Sequence, residues 1–236
     1  MENFLIAKAC DARVGMRPIC VHMRALRAIA AIPIVIVLIC GLAFAQQSVG
    51  EVTKVSGVAT LEHAGRQSQV VEAMAVASGD TIRTTANGTV VVTFHDGSKA
   101  ELGESSAFTI ERYQLSGSQR IGALLKLWGG HLRTFVSALA GKPPEFEVHT
   151  PNSVAAVRGT DFDTAFVEGR PCPEDHTCMR YTTVGVTTGV VEVRNPGNPA
   201  PAVEVHEGYE TTIPCESPPT SPAPLGVEEL GAPGYH

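Results

Sequence analysis

Aromatic residues are scarce in this 236-residue chain: one Trp, four Tyr and eight Phe. Sugar-binding surfaces rely on stacking against aromatic faces, so carbohydrate binding has little to build on. Clusters of Lys and Arg are missing as well. The chain has 18 Lys and Arg against 24 Asp and Glu, a formal net charge of −6. A phosphate backbone attracts basic surfaces, so no nucleic acid partner is expected. The signatures of catalysis are absent: there is no Gly-x-Ser-x-Gly elbow and no His-Glu-x-x-His helix. The eight histidines are scattered, none beside an obvious nucleophile. Asp161 and Asp163 share one strand face, as paired carboxylates would, but a solvated face accounts for them. No catalytic residue, no cofactor and no metal site are expected. No stretch keeps a long 3.6-residue period, which leaves little room for helices.

The most apolar run is Ala28 to Ala45, AIAAIPIVIVLICGLAFA, which carries no charge. Arg24 and Arg27 precede it, Ala43-Phe44-Ala45 fits a small-x-small cleavage site, and polar Gln46-Gln47 follow. This order describes a secretory signal peptide. The alternative is an inner-membrane anchor through residues 28–45, near the lower length limit for spanning a bilayer. A lipoprotein signal is disfavoured by the bulky Ile39 before Cys40. The signal is compact when read from Met23, which marks Met23 as a candidate start. Cleavage after Ala45 removes five basic and two acidic residues and leaves a more acidic chain. The product is expected in the periplasm or outside the cell, where disulfides persist.

Beyond Gln46 the chain reads as β structure. Thr89-Val90-Val91-Val92-Thr93-Phe94 is the clearest strand, His95-Asp96-Gly97-Ser98 follows, and Lys99 to Leu102 resumes an extended run. Asp-Gly between two such runs signals a hairpin, with a type I′ turn expected. Further strands are read at 108–110, 124–128, 132–136, 145–149, 162–167, 181–186, 190–193 and 203–205, with a helical turn possible at 122–128 or 135–139. Gly57-Val58 and Gly65 are spaced like Gly189-Val190 and Gly197, a weak internal repeat or a chance recurrence in a turn-rich chain. The fold class is all-β, a roll or solenoid-like stack of short strands and hairpins in one domain. The expected divisions are an N-terminal extension and signal at 1–45, a β domain at 46–213, and a disordered Pro-rich tail at 214–236.

Several short patterns, in order, resemble the FecR domain, the extracytoplasmic β-rich domain of FecR-type sigma-factor regulators. Gly79-Asp80-Thr81-Ile82-Arg83-Thr84 is similar to that family's Gly-Asp-x-Ile-x-Thr turn. Val90 to Phe94 with Asp96-Gly97-Ser98 is similar to its Asp-Gly-Ser hairpin. Thr150-Pro151, followed by Val157-Arg158-Gly159-Thr160-Asp161-Phe162, matches its most specific block, Thr-Pro…Val-Arg-Gly-Thr-x-Phe. The resemblance spans about 49–213 and implies a stand-alone exported domain. Because only 27 residues precede the apolar run, an anti-sigma segment is not expected, nor is a sigma-factor interaction.

The family-motif residues are expected to hold the fold. Val154, Val157 and Phe162 read as core, Gly159 as a turn or close approach, and Arg158 as a cation pairing with Asp161 or Asp163. The rival reading makes Arg158 a carboxylate clamp for a ligand. Cys172-Pro-Glu-Asp-His-Thr-Cys178 has two thiolates and an imidazole, as zinc ligands would be. The oxidising compartment favours instead a Cys172–Cys178 disulfide that closes the loop, with Cys215 left odd. The expected function is a non-enzymatic exported module that binds or senses an envelope protein or ligand, neither of which the sequence names. The alternative is an envelope scaffold without a small-molecule ligand. Export with cleavage predicts that N-terminal sequencing of the mature product reads from Gln46; a product beginning at Met1 or Met23 overturns it.

Overall fold

The computed structural model describes residues 47–138 and 146–226, so the apolar run and its cleavage site lie outside the described residues. In chain order the strands are β1 (Ser48–Ser56), β2 (Ala59–His63), β3 (Arg66–Gln69), β4 (Ala75–Ala77), β5 (Thr81–Thr84) and β6 (Thr89–Phe94). Then come β7 (Lys99–Leu102), β8 (Ala107–Ser116), β9 (Gln119–Phe135), β10 (Phe146–His149), β11 (Val154–Val157) and β12 (Asp161–Glu168). The series ends with β13 (Arg180–Thr188), β14 (Val190–Arg194), β15 (Val203–His206), β16 (Tyr209–Pro214) and β17 (Ala223–Pro224). The fold is all-β, and the strands join into a single mixed sheet that is not closed into a barrel.

That sheet doubles back on itself as two layers. The first runs β4-β1-β6-β7-β9-β12-β13-β16-β17. The second runs β3-β2-β5-β8-β9-β10-β11-β14-β15. Hairpins stay within a layer, and the chain then crosses to the other, as a roll requires. The 17-residue β9 belongs to both layers. Its first part pairs with β8 as far as Gly129, and its last part pairs with β7 and β12 from Gly130 onward. Gly130 has φ of 84°, and a Cβ there would lie 2.0 Å from the Ser106 Oγ. Only glycine therefore lets the strand turn between layers at this point. The stretches at 124–128 and 132–136, read from the sequence as two strands or a helical turn, are one bent strand.

The period-two alternation is what fills the space between the layers. Val90, Val92 and Phe94 of β6 and Phe162 and Phe166 of β12 are buried, as are Phe108 and Ile110 of β8 and Leu125 and Leu127 of β9. Phe94, Phe108, Phe146 and Phe162 are the largest fully buried side chains. Among the described aromatics these phenylalanines, with Phe166 and Tyr113, fill the core, while Trp128, Phe135 and Tyr209 are exposed.

The two Gly-Val segments, at 57–65 and 189–197, enter the outermost hairpins of the second layer, β2–β3 at one end and β14–β15 at the other. Both edges are blunted. All four residues of β3, Arg-Gln-Ser-Gln, are exposed and polar, and Pro199 and Pro201 precede β15. Charge and proline discourage edge-to-edge pairing.

The tail expected to be disordered from 214 is ordered as far as 226. β17 pairs with β16, the Thr220 backbone donates to the Thr212 carbonyl at 2.9 Å, and Pro219 is buried. Proline cannot extend a ladder, but a single short edge pairing beside Thr211 and Thr212 suffices to fix the segment. Phe162 has no exposed surface, so Phe162→Ala is expected to destabilise the protein by about 3–5 kcal/mol. Denaturant unfolding measures this, and a change under about 1 kcal/mol, the cost of a routine substitution, contradicts the core assignment.

Candidate functional site

The Asp96-Gly97-Ser98 hairpin joins β6 to β7, but not by the type I′ turn the sequence suggests. The Gly97 N–H donates to the Phe94 carbonyl at 3.0 Å, and the Phe94 N–H to the Ser98 carbonyl at 2.8 Å. Gly97 alone has positive φ, 84°. This is a three-residue connection with a glycine bulge. The reason is the use to which Asp96 is put. Its Oδ1 accepts from the Ser98 N–H at 3.0 Å and from the Tyr113 hydroxyl at 2.8 Å, and its Oδ2 from the Ser98 hydroxyl at 2.9 Å. Arg120 of β9 completes the set with an ion pair to Asp96 in which both side chains have zero exposure. The guanidinium also donates to the Ser98 Oγ at 2.8 Å and to the Ser137 carbonyl at 3.3 Å, and lies over the Phe146 ring, 5.2 Å from its centroid. Tyr113 stacks on Phe94 at 4.1 Å, and burial, reinforced by the Asp96 carboxylate, holds its phenol protonated well above the usual tyrosine range.

The other motif residues are placed in comparable ways. Gly79, with φ of 93°, and Asp80 close a turn in which the Asp80 N–H donates to the Ala77 carbonyl at 3.2 Å. The buried Asp80 carboxylate accepts from the Ala77 N–H at 2.8 Å and pairs with His63 of β2. Thr150 and Pro151 lead the turn between β10 and β11, where the Thr150 N–H donates to the Ser153 carbonyl at 2.9 Å. The Thr150 and Thr182 hydroxyls lie 2.7 Å apart, and Asn152 Nδ2 donates to the Ile213 carbonyl at 2.8 Å. Val157 and Phe162 are buried on either side of the corner that carries the chain from β11 to β12. Within it, Gly159 has φ of 145° and packs so closely that an added Cβ would lie 3.0 Å from Ala138 Cβ. The Thr160 hydroxyl donates to the Val190 carbonyl at 3.1 Å.

This stretch, with both the Asp-Gly-Ser hairpin and the Val-Arg-Gly-Thr corner, matches the model of the family described as FecR protein over residues 80–192. Residues 80–192 form a FecR domain. Two crystal structures of a candidate anti-sigma factor from Parabacteroides distasonis, at 2.50 and 1.65 Å resolution, are similar to this chain. They are 19% and 21% identical, with TM-scores of 0.43 and 0.42. Each alignment covers 57% of this chain and 54% of that one, so the match spans about half of either. No curated protein matches the chain.

One residue of the FecR domain's motif stands apart. Arg158 is exposed and makes no ion pair with a described residue, which corrects the expectation that it pairs with Asp161 or Asp163. Asp161 is instead held by Arg133 of β9 through two hydrogen bonds, Nε to Oδ1 at 3.1 Å and NH2 to Oδ2 at 2.9 Å. Asp163 pairs with His131 Nε2 at 2.8 Å. Both carboxylates lie on the outer face of β12, directly across from β9 in the ladder, and their cross-strand cations reach them first. The same carboxylates, with Glu101, push the Arg133 guanidinium above its ordinary range. Near the same corner, Phe135, opposite Asp161 in the ladder, and Val190, whose carbonyl accepts from Thr160, are large apolar residues 48% and 42% exposed.

The cysteines also depart from expectation. Cys178 is joined to Cys215, with Cα atoms 5.8 Å apart, and Cys172 is a free, buried thiol. The expected Cys172–Cys178 bond is therefore not the one formed. β13 and β16 lie side by side, Tyr181 opposite Pro214, so Cys178 and Cys215 are brought together just beyond the ladder. Among the described residues no group of three or more His, Cys, Asp or Glu is arranged to hold a metal ion. An open cleft of about 440 Å³ beside β8 is lined by Ser48, Val49, Ser78, Tyr113, Leu115 and Ile121. It carries no ionised side chain.

Sequence reasoning missed Arg120 and Tyr113, the partners that make the Asp96 hairpin a pin between layers. Removing one member of a buried ion pair strands the other. Arg120→Met is therefore expected to cost about 3–5 kcal/mol, and Asp96→Asn combined with Arg120→Met less than the two single changes added together. Chemical denaturation of the three variants measures the coupling; strict additivity contradicts it.

Proposed function

We propose that this chain is an exported, non-enzymatic module of the cell envelope that binds a protein partner at the corner carrying Arg158. The FecR domain supports an envelope or signalling role of this general kind. The observation that carries the finer reading is the division of labour within the family motif. Gly79, Asp80, Asp96, Gly97, Thr150, Val157, Gly159, Thr160 and Phe162 each serve a turn, a buried hydrogen bond or the core. Pro151 occupies the first central position of the Thr150–Ser153 turn, where its fixed φ fits. Arg158 alone serves none of these purposes among the described residues.

An exposed guanidinium on a corner whose neighbouring strands also expose apolar Phe135 and Val190 suits recognition of a partner's carboxylate and an apolar side chain. Hot spots at protein interfaces combine such groups. A scaffold that uses the fold alone has no need of Arg158.

Two measurements on the full chain separate the readings. Arg158→Ala is expected to melt at the parent's midpoint, since surface changes away from buried partners stay within about 0.5 kcal/mol. The same variant is expected to lose a protein that the parent captures from native envelope extract. A lowered midpoint returns Arg158 to a structural role. Capture undiminished by the substitution overturns the binding site and favours the scaffold.

A further inference from the structure

We propose that Cys172, Cys178 and Cys215 form one exchangeable set, in which the Cys172 sulfur attacks Cys178 and releases Cys215 as a free thiol. This inference is independent of the partner reading above.

The loop between β12 and β13 folds back on itself as a small hairpin. The Gly169 N–H donates to the Met179 carbonyl at 2.8 Å, and the Cys172 N–H donates to the Cys178 carbonyl at 2.8 Å. Chains linked by such a bond run about 5 Å apart. That separation is within the Cα distance of about 4.4–6.8 Å that a disulfide bridges. Cys178 is therefore flanked by two candidate partners. Cys172 lies beside it in the loop, and Cys215 beyond the end of β16 is the one it is bonded to.

Two features favour departure of Cys215. Cys172 and Cys178 are buried, at 0% and 3% exposure, whereas Cys215 is only half-buried. The leaving thiolate is thus the sulfur nearest to water. Cys215 also has φ of 37°, a region that a non-glycine residue occupies only while its surroundings hold it there. The disulfide is one of those restraints. Others are the Cys215 N–H, which donates to the Arg180 carbonyl at 3.0 Å, and the Asn152 and Asn195 amides, which donate to the Cys215 carbonyl at 3.3 and 2.9 Å.

The step balances without an oxidant or reductant. The Cys172 thiol loses one proton and its sulfur forms a bond to the Cys178 sulfur. The Cys178–Cys215 bond breaks, and the Cys215 thiolate takes up a proton. A staple spanning 37 residues becomes a local one within the β12–β13 loop, and the segment after Pro214 keeps only its hydrogen bonds. The product carries a free thiol on half-buried Cys215, able to engage a disulfide of another protein in an oxidising compartment.

The test uses the folded full chain, without reductant, treated with iodoacetamide and mapped by peptide mass spectrometry. Label is expected to accumulate on Cys215 in step with a Cys172–Cys178 linked peptide, and to fall to background in Cys172→Ser. Cys172→Ala repeats the measurement without a buried hydroxyl. No label on Cys215 in the parent, or undiminished label there in both variants, overturns the proposal. In a glutathione buffer that leaves the parent's Cys178–Cys215 bond intact, Cys215→Ser is expected to join Cys172 to Cys178. Two free thiols in that variant overturn the proposal as well.

Discussion

A carboxylate and a guanidinium with no exposed surface, Asp96 and Arg120, have lost all the water that would otherwise solvate them. Desolvation on that scale costs several kcal/mol per ion, and direct attraction alone seldom offsets it. Here the surroundings supply most of what water would, through Ser98, Tyr113, the Ser137 carbonyl and the face of Phe146, while the Arg120 Nε is left without an acceptor among the described residues. The pair ties a tight turn of the first layer to the start of β9 in the second. The separation of the layers, the packing of Phe94 on Tyr113 and the course of β9 all depend on that tie holding. Such an arrangement specifies one geometry, because any other leaves a buried charge unpaired.

The binding and exchange readings rest on what this frame leaves unused. A motif residue with no structural task and a thiol with no bond stand out only once their neighbours are accounted for. Arg158 sits on the corner between layers, where Gly159 and Thr160 fix the backbone and leave the guanidinium to solvent. The cysteines gather where β13 begins and β16 ends, beside the Asn152 and Asn195 amides that hold the Cys215 carbonyl.

Much of the fold was legible in the sequence because alternation is a local signal. Val90, Val92 and Phe94 announce β6, and Phe162 between two aspartates announces its own burial. Arg120 was not legible, because β9 slips phase near Gly122. Arg120 is buried and Ile121 is 57% exposed, while Ala123, Leu125 and Leu127 restart the inward series three residues on from the arginine. Strict period-two reading points Arg120 outward. The disulfide was hidden for a different reason. Proximity in sequence favours Cys172–Cys178, whereas the bond that forms depends on two strands some thirty residues apart lying side by side. The Asp161 and Asp163 pairings likewise required knowing that β9, not the adjacent turn, is the neighbour of β12.

β9 also sets an order of events for a chain made from its N-terminus. β7 has β6 on one side and β9 on the other, and β8 has β5 and β9. Until residue 135 has emerged, both layers of the N-terminal half end in a bare strand, and one later strand must cover both. β10 then docks on β9 in parallel and β12 docks antiparallel, so the C-terminal half has nothing to dock on without it. The molecule cannot be cut at its middle into two pieces that each close their sheets. A nascent chain halted before β9 presents two adjacent unpaired edges, the kind of surface on which chaperones act and aggregates begin.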